Sequence, residues 1–381
     1  MRMSLCMIVR QEEKALARCL EGIADAVEEI VIVDMGSTDR TKEIARQFTD
    51  KIYDFPWMDD FAAARNFAFS KGTGEYLLWM DAEDILPSGE KEKLLALKAD
   101  LRENPCDMVM MLFDRGVDEG GRTKFSCYRE RLVRRCPQAR WQGRANERIP
   151  PFGSVRYEEI HFVRRKEKQK YSDCNLRIYE KILAEGEKLS AQEWFYYGRE
   201  LFVHEKQEQA AEVLRKFLEN PEGGAENKAE AVRMLAHCLQ MAGKEEEGIS
   251  LLLEGLQFAP PTGEHCCEIG EYFYEKGQWE QVIFWYENAL HAERRTEQGA
   301  FVQEECYGFL PCIRLCVCYG RGNGRWRRCI MKWQGDSDRR MHRCGRIGSI
   351  LRKEHKKSSR KEDYDCKHVK VPGGRRKEIS S

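Results

Sequence analysis

Two short apolar runs in this chain end abruptly in carboxylates. Residues 28–40 read EEIVIVDMGSTDR, and residues 75–84 read EYLLWMDAED. Unbroken Ile, Val, Leu and Trp is the pattern of a parallel strand buried on both faces. Parallel sheets carry their ligand sites beyond the carboxyl ends of their strands. Acids crowd both of those ends here, so the chain is constrained to an α/β sheet with an acidic rim.

The flanking sequence supports that frame. MSLCMIV (Met3 to Val9) reads as a first strand, followed by a helix near Glu12 to Gly22 with Leu16, Leu20 and Ile23 on one face. Ile30 to Asp34 is the second strand; Gly36 supplies the turn, and Ser37, Thr38 or Asp39 caps a helix that runs to about Phe48. KIYDFPW is a short third strand, Asp59 to Lys71 a helix, Tyr76 to Asp81 a fourth strand and Glu90 to Arg102 a further helix. MVMMLF and the region to Ile149 supply the remaining strands. Strands separated by helices imply βαβ units and a mostly parallel, Rossmann-like sheet. Asp34, Ser37, Asp39, Asp81, Glu83 and Asp84 all fall at its carboxyl rim.

Acids in that position need a counter-charge. A phosphate-bearing ligand is repelled by bare carboxylates, whereas a Mg²⁺ or Mn²⁺ ion held by them reverses the local sign and steadies the charge that builds on a leaving group. Asp81 and Glu83, two residues apart after a strand, point the same way in an extended segment and can reach one ion. Asp34 suits hydrogen bonds from a base or ribose. No GxGxxG follows the first strand and no P-loop is present, which argues against a dinucleotide oxidoreductase and a P-loop NTPase.

Composition narrows the setting. The 381 residues are 42% apolar and 34% charged, with no apolar run long enough to span a membrane and no signal-peptide pattern at the start. The 16 cysteines are scattered without a CxxC pair, as expected of reduced cytoplasmic thiols. The zero net charge is uneven: residues 320–381 carry 20 Lys/Arg against 7 Asp/Glu, a net of +13, and the rest carries −13.

SLCMIVRQEE, EEIVIVDMGSTDRTKEIA, WMDDFAAARNFAF and GEYLLWMDAED, in that order, resemble a family-2 glycosyltransferase of GT-A fold. The nearest branch carries tetratricopeptide repeats behind the transferase and includes bacteriocin-peptide glycosyltransferases. The resemblance implies a nucleotide-sugar donor, with Asp81 and Glu83 on the metal and diphosphate and Asp34, Ser37 and Asp39 on the nucleoside. It also places Arg65, Asn66 and Glu12 near the nucleotide, and it implies inversion at the anomeric carbon. Two positions depart from the pattern. Glu83 replaces the usual Asp, and WQGRANERI has Asn146 before Glu147 where relatives often carry His-Glu. Glu147 is the candidate base, with Asp84 as its rival. His161 is a conceivable substitute ligand and fits better as an ordinary strand histidine. The alternative reading is a catalytically inactive scaffold that binds a protein or peptide partner; a nucleotidyltransferase would need a basic Gly-rich loop that RQEEKALARCL lacks.

From Ser190 the pattern turns helical. Three helix-turn-helix copies align, with Gly243 and Gly277 at the turns and Glu205 in that place in the first copy; Gly198, Ala236 and Gly270 lie seven positions earlier. The period resembles tetratricopeptide repeats, whose inner face suits an extended peptide or protein acceptor. The aromatics Trp194, Phe195, Tyr197, Phe273, Trp279, Trp285 and Tyr286 fit a core between stacked helices better than a sugar platform.

The expected division is therefore a transferase domain over 1–185, repeats over 190–319 and a basic tail over 320–381. FVQEECYGFLPCIRLCVCYGR reads as the first helix of a fourth repeat, after which helical periodicity stops. Reading Gly322 to Gly335 one nucleotide earlier permits Gly, an aromatic two later and Ala five later, the spacing of the preceding turns. The tail thus reads as a disordered frameshift product rather than a nucleic-acid-binding arm.

Overall fold

The computed structural model describes residues 1–117, 123–165, 172–294 and 302–321. Of the tail expected over 320–381, residues 320 and 321 end a helix, and the rest, with the altered frame, lies outside the described residues. Residues Met1–Pro311 form one compact unit and Cys312–Ser381 a second.

The first unit opens with β1 (Met3–Val9), α1 (Leu16–Ile23), β2 (Glu29–Asp34), α2 (Thr41–Ala45), β3 (Ile52–Asp54), α3 (Phe61–Lys71) and β4 (Tyr76–Trp79). β5 (Asp84–Ile85), α4 (Ser88–Asp100), β6 (Met108–Val117), β7 (Thr123–Arg134) and β8 (Val155–Arg164) follow. The sheet order is β3-β2-β1-β4-β7-β6-β8-β5, and β9 (Val302–Gln303) adds to β7. The first four strands are mutually parallel and β6 is parallel to β8; β4–β7, β6–β7, β5–β8 and β7–β9 are antiparallel.

Sequence alternation builds a core on each face. Along β1, Leu5, Met7 and Val9 meet α1 and α4 residues such as Leu16, Leu20, Leu94 and Leu97. Cys6 and Ile8 point the other way, to Val33, Leu77 and the α3 alanines Ala64 and Ala68. Both faces are covered, which is why these strands read as unbroken apolar runs.

β8 lies beyond Ile149, where the region of further strands was expected to end, and it contains His161, which was expected to be a strand residue. VRYEEIHFVR hides its signal because its two buried apolar side chains, Ile160 and Phe162, stand among Arg156, Glu158, Glu159 and Arg164. A helix, α5 (Cys174–Ala184), then leads to three helix pairs. These are α6 (Ala191–Val203) with α7 (Gln207–Glu219), α8 (Ala225–Met241) with α9 (Glu245–Glu254), and α10 (Gly263–Glu275) with α11 (Trp279–His291). The predicted turn residues share one conformation: Glu205, Gly243 and Gly277 have φ of +58°, +75° and +70°. The small residues seven positions earlier admit the facing helix. A Cβ on Gly270 would stand 2.9 Å from the Tyr286 ring.

The segment expected as one helix begins otherwise. Val302 and Gln303 pair with Ser126 and Phe125 of β7, a short 3₁₀ turn covers Glu304–Tyr307, and helix α12 starts only at Phe309 (Phe309–Arg321). Gly308 separates the two, and Pro311 sits in the first helical turn, where its missing N–H costs nothing. Among the described residues no helix is long and apolar enough to cross a membrane.

Candidate active site

The carboxyl ends of β2, β1 and β4 lie side by side, with β1 paired to both neighbours. At the β2 end, Gly36 takes φ +89°, a region that favours glycine, and turns the chain back. Asp34 is buried, and its Oδ2 accepts from the N–H groups of Gly36 and Ser37 at 3.0 and 2.9 Å. Its Oδ1 is buried with no hydrogen-bond partner among the described residues. Asp39 receives the Thr41 N–H at 3.0 Å and so opens α2.

The β1 end supplies a residue that motif reading did not single out. Gln11, at φ +59°, accepts the Thr38 N–H at 2.7 Å on its side-chain oxygen and donates its backbone N–H to Ser37 Oγ at 3.0 Å. Glu12 donates its N–H to Thr41 Oγ1 at 2.8 Å, which turns its carboxylate toward the β4 end. Burial, with the charges of Glu83 and Asp81 behind it, pushes the Glu12 carboxyl up to about 7.

At the β4 end, Asp81 to Asp84 form a turn in which the Asp84 N–H bonds the Asp81 carbonyl at 2.9 Å. The segment is therefore not extended, as the two-residue spacing of Asp81 and Glu83 had implied. Asp81 Oδ1 accepts from Arg65 Nη2 at 2.7 Å, and its Oδ2 is paired with Arg164. Burial pushes the Asp81 carboxyl up, but the guanidiniums of Arg65 and Arg164 outweigh it and hold the group well below the usual carboxylate range. Asp84 has no exposed surface; Arg131 Nη1 reaches its Oδ2 at 2.8 Å and Arg164 Nε its Oδ1 at 3.1 Å.

Arg65 is sandwiched between the rings of Trp79 and Trp141, 4.7 and 4.8 Å from their centroids, and donates Nε to Glu147 Oε1 at 2.6 Å. Asn66 exchanges two hydrogen bonds with the Trp141 backbone at 3.0 and 2.9 Å. Both side chains, expected beside the nucleotide, are engaged with protein groups. Asn146 adopts φ +49° and turns its amide away from Glu147, to Tyr179 Oη and Glu200 Oε1, each at 3.3 Å. His161 on β8 pairs through Nδ1 with Asp114 at 2.9 Å, and that hydrogen bond raises its pKa.

Arg131 and Arg164 were not among the expected site residues. Arg131 is fully buried, stacked 4.0 Å from the Trp79 ring centroid, in a strand that also carries Arg129, Glu130 and Arg134. Arg164 ends the strand whose sequence pattern is weakest.

For a hard divalent ion the donor chemistry fits: Asp81, Glu83 and Glu12 offer carboxylate oxygens, and the charges of Glu83 and Asp81 add to burial in raising Glu12. Among the described residues no three His, Cys, Asp or Glu side chains already stand arranged to hold an ion, Asp81 being engaged by two guanidiniums.

Residues 4–167 match the model for glycosyl transferase family 2, and a region of paired helices follows this segment. A TPR repeat-containing protein of Synechococcus elongatus is 36% identical over 143 residues, which are 37% of this chain and 34% of that protein. The SPbeta prophage-derived glycosyltransferase SunS of Bacillus subtilis is 25% identical over 225 residues, 56% of this chain and 52% of SunS. The chain thus spans about a third to a half of the length of these curated relatives. Among solved structures, S. aureus TarS 1-349 in complex with UDP-GlcNAc is 15% identical, with a TM-score of 0.39 over 65% of this chain and 89% of that one.

Proposed function

We propose that residues 1–185 transfer a sugar from a nucleotide-sugar donor, with Mn²⁺ or Mg²⁺ and with inversion, and that the repeats over 190–319 receive a peptide or protein acceptor. The observation that carries this reading is the pair of carboxylate turns, 34–39 and 81–84, which the family 2 segment sets on either side of β1.

Asp34 Oδ1, buried without a partner among the described residues, calls for a donor that a nucleoside base or ribose hydroxyl supplies. Ser37 and Asp39 shape the turn beneath it. Asp81 and Glu83, with Glu12 facing them, would hold the divalent ion, which would neutralise charge on the diphosphate leaving group. Glu147 takes the proton of the acceptor hydroxyl as that oxygen attacks the anomeric carbon; the carbon–oxygen bond to the diphosphate breaks and its electron pair leaves with the nucleotide. Arg65 and Asn66 hold this constellation in place: Arg65 fixes the spacing of Asp81 and Glu147, and Asn66 fixes Trp141 beneath Arg65. Asp84, enclosed by Arg131 and Arg164, anchors the turn. The free thiols of the described residues suit a cytoplasmic setting.

Nucleotide release from UDP-, GDP- and dTDP-sugars in the presence of Mn²⁺ tests the reading, comparing the native chain with Asp81→Asn. Release from one donor that the variant abolishes supports the transferase. Silence across the panel from a folded chain would replace it with the peptide-binding scaffold.

A further inference from the structure

Three arginines surround the turn 81–84, and they differ in their freedom to leave. Arg131 has no exposed surface and is enclosed by Trp79, Phe113 and Phe162. Arg65 lies between two tryptophans and is fixed to Glu147. Arg164 is the last residue of β8, covered on one side by the Phe113 ring at 4.8 Å, and a fifth of its side chain (21%) faces solvent.

Arg164 is also the arginine that answers to Glu12 and to every acid of the 81–84 turn. It pairs with Asp81 Oδ2 and Asp84 Oδ1, and the charges of Glu83 and Glu12 act on it as well. When it swings out, neither carboxylate is stranded: Asp81 keeps Arg65 on Oδ1 and Asp84 keeps Arg131 on Oδ2. The cost of a bare buried carboxylate is thereby avoided. What its departure frees is one oxygen on each acid, beside Glu83.

We propose that Arg164 is the exchangeable cation of this site: it holds Asp81 and Asp84 when no donor is bound, yields Asp81 to the divalent ion, and turns its guanidinium to the donor's diphosphate. The inference rests on the sugar-nucleotide reading above. A guanidinium and a divalent ion compete for the same oxygens, so Arg164 opposes metal binding until a nucleotide gives it another partner. Its planar fork matches phosphate oxygens in pairs, as it matches carboxylates. Asp81 then changes partner without ever losing its charge compensation.

The test is binding of Mn²⁺ alone, read as loss of the free-ion electron paramagnetic resonance signal, and of UDP at saturating Mn²⁺, read by calorimetry. Both are made on the full chain and on Arg164→Gln. The expected result is roughly tenfold tighter Mn²⁺ binding without nucleotide and roughly tenfold weaker UDP binding with it, the scale of an ordinary coupling between two ligands. A residue needed only to shape the turn would weaken both. Mn²⁺ affinity unchanged or reduced in Arg164→Gln overturns the inference while leaving the metal reading intact, and unchanged UDP affinity overturns the diphosphate half. Failure of both proteins to bind Mn²⁺ removes the metal reading and this inference with it. Should Arg164→Gln not fold, Arg164→Lys retains the charge without the fork and must shift both affinities in the same directions by less.

Discussion

Glu12 shows how a single side chain reports the charge of the site around it. Its carboxyl is pushed up to about 7 from an ordinary 4.5, first by burial and then by Glu83 and Asp81. A carboxyl raised on folding gives stability that is complete below the unfolded value and is lost as pH rises through the folded one. The chain should therefore lose stability between about pH 4.5 and pH 7 through this group. Glu12→Gln should stabilise the metal-free chain by about 1 kcal/mol at pH 8, once solvent screening of a half-buried group is allowed for. At pH 4 it should change little, and urea unfolding at the two pH values checks both. An equal effect at both would show that the charge of Glu12 is already compensated. At this scale the acids were legible in the sequence, because a carboxylate that ends a buried apolar strand must emerge at the rim of the sheet. Arg131 and Arg164 were not. Their meaning depends on two later strands returning to β4 and β5, and spacing within one segment does not carry that information.

The turns of the helix pairs were legible to the residue, because each turn demands one backbone conformation. Glu205 stands where the other two copies place glycine and adopts the same left-handed φ of +58°. A side chain there costs about 1–2 kcal/mol of backbone strain, less what glycine loses in chain entropy. Glu205→Gly should therefore stabilise the chain by about 0.5–1 kcal/mol, read as a higher midpoint in thermal unfolding. A lower midpoint would mean that the turn gains more from the glutamate side chain than the strain costs. The extent of β8 around His161, and β9 altogether, were not legible for the opposite reason. A strand needs no special residue of its own, and VRYEEIHFVR shows two buried apolar side chains among charges. The two residues of β9 become a strand only because β7 offers them an edge.

At the scale of the whole chain, the family 2 segment and the repeats share side-chain contacts that a boundary near residue 185 would cut. Arg144 pairs with Glu185 and Glu187 at 3.2 and 2.8 Å, and Asn146 reaches Glu200 on α6. Ile178, Tyr179 and Ile182 of α5 form one apolar cluster with Leu189, against which Trp194 and Tyr197 of α6 pack. A chain of residues 1–189 loses Glu200 and bares that cluster, so it should melt several degrees below the full chain and bind an apolar dye that the full chain does not. Matching melting curves would show instead that the front domain stands alone. The strand β9 adds a mechanical consequence. The chain leaves the sheet after β8, passes through seven α-helices among the described residues and rejoins the same sheet at β7. A solenoid tethered at one end swings like a pendulum; one fastened at both ends is a bridge of fixed span. A peptide lying along that bridge would be offered to the strand tips at a constant reach, as a jig presents each workpiece to the tool.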